Sequence, residues 1–364
     1  MAQKSFYRIV AGGQDISSLL APILISLTVS DKSGTSSDTC QIEIDDTDGR
    51  TVMPETGAEI SVELGYQGGQ SAEVFKGKVD EVRSKGAAGN GRTLTISAKG
   101  VDTKAKAKEP QTRHMDNKTL EAALKEAGQP AGVTDIRVDQ QLRSIVRSYW
   151  SLDAESFIHF GERIAREVGG LFKVSGNRAV MARLNSGQSP SGQPLPTVTA
   201  AWGDNLMDWD ITPQVGRAQY RETRARWFNR QAARWEDVRV QVPTEGGQAQ
   251  STSRHTRANR EEAQRQANND SASADRNKGG GSCTILGNIA ARPEGTCMVV
   301  GARPGIDGSY RIEGVEHSLT VSGGFTTKLE LKQPSGGAGK DARRSGSSAR
   351  GGSSWAAGGG GASP

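Results

Sequence analysis

The apolar pattern of residues 301–332 changes phase within one predicted strand, and this limits what the chain can fold into. Tyr310 and Ile312 share one face of the strand, whereas Val315, Leu319 and Val321 share the other. A period-two pattern that switches phase is typical of a β-bulge in a long, bent strand. Bent hairpins of this kind build barrels, and they serve assembly more often than chemistry.

The next strand is predicted by an uninterrupted alternation. After a turn at 322–324, Phe325, Thr327, Leu329 and Leu331 alternate with polar residues, as the second strand of a hairpin does. Five residues supply the turns, the phase change and the centre of this hairpin. These structural or interface candidates are Gly308, Tyr310, Gly314, His317 and Gly324.

A weaker copy of the same pattern lies at residues 74–99. Phe75 and Val79 share one face before the phase shifts to Val82, and a glycine-rich turn at 86–91 precedes another alternating strand. The likeness has two interpretations. Either these are two unrelated hairpins, or the chain holds two similar barrels, which requires a different domain between them.

The middle of the chain has a different period. Asp116 is predicted to cap a helix at 117–127, and Asp153 a second helix at 154–168 that ends before a glycine pair. A hairpin follows, and 185–197 form a loop. The β pattern returns from about 198, interrupted by a polar, exposed helix near 257–275.

We therefore predict a mainly β fold with an α+β insert: two similar β-barrel domains flank a small α+β domain, and a disordered C-terminal tail follows. The predicted domains are a first barrel at 1–101, the insert at 102–200, a second barrel at 201–334 and a Gly/Ser-rich tail at 335–364. Trp355 is the one large apolar residue of that tail and is a candidate docking anchor.

Composition argues against several functional classes. The 364 residues include 46 basic and 41 acidic ones, a net charge of +5 that is too small and too well mixed for a dedicated nucleic-acid binder. Cys40, Cys283 and Cys297 form no CxxC pair, which indicates a reducing compartment and no disulfide framework. No apolar run is long enough for a membrane anchor.

Signals for chemistry are weak. The four histidines are scattered, and neither a GxSxG nor an HExxH motif occurs. Asp204, Asp208 and Asp210 supply enough carboxylates for glycoside cleavage, but three acids in one loop are typical of turns and solvated surface. The sequence predicts a protein that is not an enzyme, with no catalytic residue, no cofactor and no metal site.

The strongest alternative signal is basic. Seven arginines lie at 217–239, interleaved with aromatic residues, a pattern that can bind single-stranded nucleic acid by stacking and phosphate contact. Strand alternation, however, places Arg224 and Arg226 on one face and Trp227 on the other, which fits an aromatic core and a solvated or interface face. A nucleic-acid-binding module therefore stays the alternative interpretation.

Three motifs, in this order and spacing, resemble one family. They are NKTLEAALKEAG at 117–128 with SYWSLDAESFIHFGERIAREVGGLFKV at 148–174, WGDNLMDWDI at 202–211, and GSYRIEGVEHSLTVSGGFTTKLEL at 308–331. Together they are similar to the tail hub proteins of contractile-tailed phages, the late control protein D family. That family is similar in turn to the N-terminal part of the VgrG spike proteins of type VI secretion.

The resemblance implies a structural baseplate hub. Three copies would form a ring whose two barrels per chain adapt the six-fold tail tube to the three-fold spike. Implied partners are the spike protein, the tube protein, the wedge and the tape-measure protein, and DNA would pass through the lumen without specific binding. The protein would be assembled in the host bacterial cytoplasm and reside in the virion tail. An infectious phage, a bacteriocin-like particle and a gene transfer agent all fit.

Overall fold

The computed structural model describes residues 4–33, 37–89, 91–100, 106–215, 219–243, 248–341 and 343. The predicted fold class is confirmed, because the chain is mainly β with an α+β insert between two similar β units. Trp355 and the tail from 344 onward lie outside the described residues.

The first β unit contains seven strands and one short helix. They are β1 (Ser5–Ala11), β2 (Gln14–Asp15), α1 (Ser17–Leu20), β3 (Leu24–Lys32), β4 (Thr39–Asp45), β5 (Glu59–Tyr66), β6 (Ser71–Ala87) and β7 (Gly91–Lys99). The insert begins with a 3₁₀ turn at Lys106–Lys108. It continues with β8 (Pro110–Thr119), α2 (Leu120–Gly128), β9 (Asp135–Val138), α3 (Gln140–Arg143), β10 (Val146–Ser156), α4 (Phe157–Val168), β11 (Gly170–Ser175) and β12 (Arg178–Arg183).

The second β unit comprises β13, β14 and β18–β21, and a small sheet with one helix, β15–β17 and α5, is inserted between β14 and β18. The bounds are β13 (Thr197–Ala201), β14 (Leu206–Thr212), β15 (Tyr220–Asn229), β16 (Arg234–Gln241), β17 (Ala249–Thr252), α5 (Arg260–Arg276), β18 (Gly280–Leu286), β19 (Thr296–Val300), β20 (Gly308–Thr320) and β21 (Gly324–Ser335). The β20–β21 hairpin lies where the alternation of residues 301–332 predicted it.

The two β units share one topology. Leaving out the two-residue β2 and counting each unit's strands in chain order, both sheets run second, third, sixth, fifth, fourth, first: β3-β4-β7-β6-β5-β1 and β14-β18-β21-β20-β19-β13. They differ at one end, where β1 is antiparallel to β5 but β13 is parallel to β19. The sequence likeness of the β6–β7 and β20–β21 hairpins therefore reflects equivalent positions in the two units.

Both predicted phase changes are β-bulges. The register of β20 against β21 shifts between Ile312 and Gly314, and that of β6 against β7 shifts between Val79 and Glu81. A bulge bends its strand and shifts the alternation of the following side chains by one residue. In β20 this brings Ile312 and Val315, which are three positions apart, to the same core.

The β20–β21 hairpin joins the two units. Its first half supplies Ile312 and Val315 to the core of the second unit, whereas Leu319 and Phe325 near its turn pack into the core of the first. Between them, β20 pairs with β3 over seven antiparallel positions, so the two units form one continuous sheet. A Cβ on Gly287 would lie 2.1 Å from the Phe325 ring, so the close approach there requires glycine.

The insert has its own core, and its helices begin later than predicted. Residues 110–119 and 146–156 pair as β8 and β10, so Asp116 and Asp153 lie in strands and cap nothing. Thr119 and Ser156 are the actual N-caps, since their hydroxyls accept hydrogen bonds from the third residue on. The predicted apolar face of α4 is buried as expected, and left-handed Gly169 ends the helix.

Helix α5 differs from the exposed helix predicted near 257–275. Its small residues Ala263 and Ala267 are fully buried against Ala225 and Val238 of the β15–β16 hairpin. The low hydrophobicity of the helix concealed this contact, because alanines allow close packing without an apolar stripe of large side chains.

A buried ionic cluster joins all parts of the chain. Arg276 at the end of α5 contacts Glu294 of the second unit at 2.8 Å and donates to Asn185 after the insert at 2.7 Å. Glu294 also accepts from Ser33 of the first unit at 2.7 Å. Arg276 and Glu294 are each 5 % exposed, so almost no water reaches their charges. Hydrogen bonds from protein groups must therefore compensate for the lost solvation of the pair.

Residues 335–341, which the sequence assigned to the tail, contact the second unit. Gly339 donates its N–H to the Gly305 carbonyl at 2.8 Å, and Ala338 packs against the core of that unit. A truncation that preserves these contacts must therefore retain residues 335–341.

We expect Leu319→Ala to lower the free energy of unfolding by about 2–5 kcal/mol, because it opens a cavity in the first unit. Leu319 is 5 % exposed, whereas Val321 in the adjacent turn is 77 % exposed. The control Val321→Ala should change stability by less than about 0.5 kcal/mol. Urea denaturation of both variants tests this, and equal effects would contradict the shared core.

Arg276→Met should cost about 3–5 kcal/mol of stability, because it leaves Glu294 buried without its cation. The matched control is Arg234→Met, since Arg234 pairs with Glu236 on the surface with its own side chain 73 % exposed. That loss should stay below about 1 kcal/mol. Thermal unfolding measures both, and a small loss for Arg276→Met would mean that the cluster does not hold the parts together.

Candidate functional site

Three of the predicted structural or interface candidates, Tyr310, Gly314 and His317, are buried within the chain. Gly308 leaves no room for a side chain, because a Cβ there would lie 2.6 Å from Ala338 N. Gly314 follows the β20 bulge and is buried between β3 and β21. Only Gly324, with φ of 68° in the hairpin turn, has open space around its Cβ position.

Tyr310 anchors the start of β20. Its ring is 1 % exposed in the core of the second unit, and its hydroxyl donates a 2.6 Å hydrogen bond to the Ile306 carbonyl. Burial raises the pKa of this phenol above its ordinary value. The residue therefore stays neutral and fixes the turn before β20.

His317 lies where β20 passes from one core to the other. It is 3 % exposed, and its Nδ1 lies 3.0 Å from Thr327 Oγ1 on β21. Burial, helped by nearby Arg292, lowers the pKa of His317 to about 4, so the imidazole is neutral near pH 7. Its position indicates packing between the two units and not a surface contact.

The outer face of the β15–β16 hairpin is the exposed part of the predicted site. Residues directly opposite in an antiparallel pair share a face, so register determines its composition. We call it the arginine face, and its members are Arg224, Arg226, Phe228, Trp235, Asp237 and Arg239. Trp227 lies on the other side and packs toward α5, as the alternation predicted.

The arginine face combines cations with exposed aromatic rings. Phe228 and Trp235 pack edge to face with centroids 5.2 Å apart, and Trp235 is 54 % exposed. Arg226 pairs with Asp237 at 2.9 Å and thereby lowers the pKa of that carboxyl, and Arg224 pairs with Glu222 at 2.9 Å. Aromatic residues and arginine are both enriched at protein interfaces.

A second exposed surface was missed by the sequence reasoning. At the seam where β13 and β14 meet, Trp202 bridges to Leu206, and its ring packs 4.9 Å from that of Trp209. Exposed apolar residues surround the seam. They are Trp202 (55 %), Met207 (49 %), Met298 (42 %) and Val300 (45 %). The run TCMVV at 296–300 is apolar almost throughout, so periodicity could not show that Met298 and Val300 point outward.

Other kinds of site find no support in the described part of the chain. No group of three or more His, Cys, Asp or Glu side chains there is placed to hold a metal ion. None of the helices found in the described residues is long and apolar enough to cross a membrane. Cys40, Cys283 and Cys297 are buried free thiols.

Comparison with known proteins gives two curated relatives and no matching family model. The probable baseplate hub proteins of Escherichia phages 186 and P2 are each 28 % identical over 225 residues, which is 61 % of this chain. The chain spans 56 % of the length of these relatives. The resemblance to the baseplate hub family is confirmed.

Solved structures share the fold at low identity. A tail protein from Neisseria meningitidis MC58 and the 43 kDa tail protein of prophage MuSo2 from Shewanella oneidensis both align with a TM-score of 0.66 at 16 % identity. Each alignment covers 90 % of this chain, and 96 % and 98 % of those proteins respectively. A type VI secretion component from E. coli aligns with a TM-score of 0.54 at 11 % identity, over 88 % of this chain and 76 % of that one.

Acidification should destabilise the protein through His317. The folded pKa is about 4 against an ordinary value of 6.5, so the unfolded chain binds the proton first as pH falls. The stabilisation is therefore complete above pH 6.5 and is lost toward pH 4. The loss in the free energy of unfolding reaches about 2 kcal/mol at pH 5. The free energy of unfolding, measured by urea titration between pH 7 and 5, tests this.

The control for that titration is His317→Gln, which cannot take up a proton. Asp38, whose pKa is raised to about 6 by burial, titrates in the opposite sense in the same range, so only the difference between the two proteins isolates His317. Equal pH slopes in wild type and variant would contradict a neutral, buried imidazole.

Proposed function

We propose that this chain is a structural hub of a contractile-tail baseplate, located in the virion tail. Support comes from its likeness to two baseplate hub proteins over 225 residues, together with a fold shared with tail proteins over 90 % of its length. The function rests on surfaces and strand edges, and we assign no catalytic residue.

The observation that carries the proposal is the repeated topology. Two units with the same strand order, joined through β3 and β20, make one chain equivalent to two building blocks. Three such chains around an axis supply six similar units, which matches a three-fold object on one side and a six-fold object on the other. The ring would adapt the tail tube to the spike, with wedge and tape-measure proteins as neighbours.

The domain divisions stay predictions that fit this role. In the proposed ring the predicted first and second barrels form the annulus, with β13 counted in the second, and the insert between them lies outside it. The arginine face belongs to the sheet inserted within the second unit, so we assign Arg224 and Arg226 to a contact with a neighbouring protein. Trp355 stays a candidate anchor for a partner.

Nucleic-acid binding by the same face stays the alternative. Its exposed Phe228 and Trp235 could stack on bases, and Arg239 adds a third cation. Against it, Arg226 and Arg224 are already paired with carboxylates. Phosphates would have to displace these acids, so we favour a protein partner.

We expect a trimer of about 116 kDa, three times the chain mass of 38.6 kDa. Light scattering after size exclusion measures it for the full chain, alone and mixed with the spike protein of the same particle. A trimer in either sample supports the ring. A stable dimer, or a monomer in both samples, would contradict it.

A further inference from the structure

The contact between the two units within one chain leaves two equivalent strand edges unused. Strand β20 pairs with β19 before its bulge and with β3 after it. Its counterpart β6 pairs with β5 up to Lys78, but in the described residues no strand lies beside its outer edge from 80 to 87. The counterpart of β3 is β14, and among the described residues its positions 207–212 pair with no strand but β18.

We propose that residues 83–87 of β6 pair antiparallel with β14 of a second copy of this chain. The inference rests on the proposed ring and names the surfaces that close it. Each chain would donate the β6 edge to one neighbour and offer β14 to the other. The contact between chains would then repeat the β20–β3 contact within a chain, as a pseudo-six-fold ring requires.

The register of this contact follows from equivalent positions in the two hairpins. Val315 pairs with Leu329 just after the β20 bulge, and Val82 pairs with Ile96 just after the β6 bulge. Val82 is therefore the counterpart of Val315, and counting on from there makes Lys85 the counterpart of Ser318.

The partner strand is aligned in the same way. Leu329 pairs with Cys283, and Cys283 with Trp209. Ile96 pairs in turn with Ile42, and Ile42 with Leu27. Trp209 is thus the counterpart of Leu27, and Asp210 that of Thr28.

Transferring the internal register places a cation opposite an anion. Within the chain Ser318 lies directly opposite Thr28, so between chains Lys85 would lie directly opposite Asp210. By the same rule Arg83 would lie opposite Thr212 and diagonal to Asp210. Opposite charges facing each other across strands stabilise a sheet.

Side-chain orientation agrees with this arrangement. Leu94 and Ile96, which face the core, lie opposite Ser84 and Val82, so Arg83 and Lys85 point outward. On β14, Trp209 and Ile211 pack toward the core of the second unit, and Asp208 and Asp210 point outward, exposed. The two charged rows therefore occur on the same face of the joined sheet.

The ends of the proposed contact also fit. Pro213, which has no N–H, follows β14 and would end the ladder opposite Val82. Trp202 and Met207, exposed beside the first residues of β14, would be covered by the incoming hairpin. The exposed apolar seam and the two open edges, which are liabilities in an isolated chain, are covered by the same contact.

Disulfide trapping in the assembled full chain tests the pairing. Directly opposed residues bring Cα atoms to about 4.5–5.5 Å, within disulfide range. Oxidised Lys85→Cys/Asp210→Cys should run as a covalent trimer on a non-reducing gel. The control Lys85→Cys/Asp237→Cys, with its carboxylate position on the arginine face instead, should not cross-link.

Charge exchange supplies an independent readout. Asp210→Lys should reduce the trimer fraction, because it faces Lys85 with a like charge, and adding Lys85→Asp should restore it. If wild type forms a trimer, but the double-cysteine variant does not cross-link and Asp210→Lys does not reduce the trimer fraction, then the pairing is wrong and the hub proposal stands. Absence of any trimer from wild type, with or without the spike protein, removes the ring and the pairing with it.

Discussion

Strand β20 is the element on which the rest of the structure depends, because it belongs to both cores. Its bulge before Gly314 keeps Val315 in the same core as Ile312, although simple alternation would place these two residues on opposite faces. The strand then continues past this core, pairs with β3 over seven positions and places Leu319 in the core of the first unit. The length of β20 and its pairing with β3 therefore join the two units into one sheet of thirteen strands.

The ionic cluster around Glu294 is a second contact that connects the two units, and it also reaches the insert. Its carboxylate contacts Ser33, which follows β3 of the first unit, and Arg276 at the end of α5, and Asn185 N–H at the end of the insert donates to it at 2.9 Å. Glu294 and Asn185 both adopt positive φ, 65° and 61°, which costs free energy unless surrounding contacts impose it. Arg276 is the cation that makes this geometry tolerable.

An assembly role accounts for the distribution of polar and apolar side chains. The predicted candidates Tyr310 and His317 are buried and hold the chain together, whereas the exposed aromatic and charged residues lie on the arginine face, on the β6 edge and around the seam. Surfaces of this kind act by shape and by strand pairing. The same bulged hairpin occurs twice. The edge of β20 pairs with β3 within the chain, and in our proposal the edge of β6 pairs with β14 of a neighbouring chain.

The sequence by itself determined the strands of the two bulged hairpins, both bulges and the α4 stripe, because alternation and helical period are local properties of the chain. It misplaced the caps at Asp116 and Asp153, since strand pairing between β8 and β10 holds those residues outside the helices. Only the tertiary structure decided that α5 is half-buried, that His317 separates two cores, and that β14 and β6 keep open edges. Each depends on which distant strand lies alongside, and period-two patterns carry no information about partners.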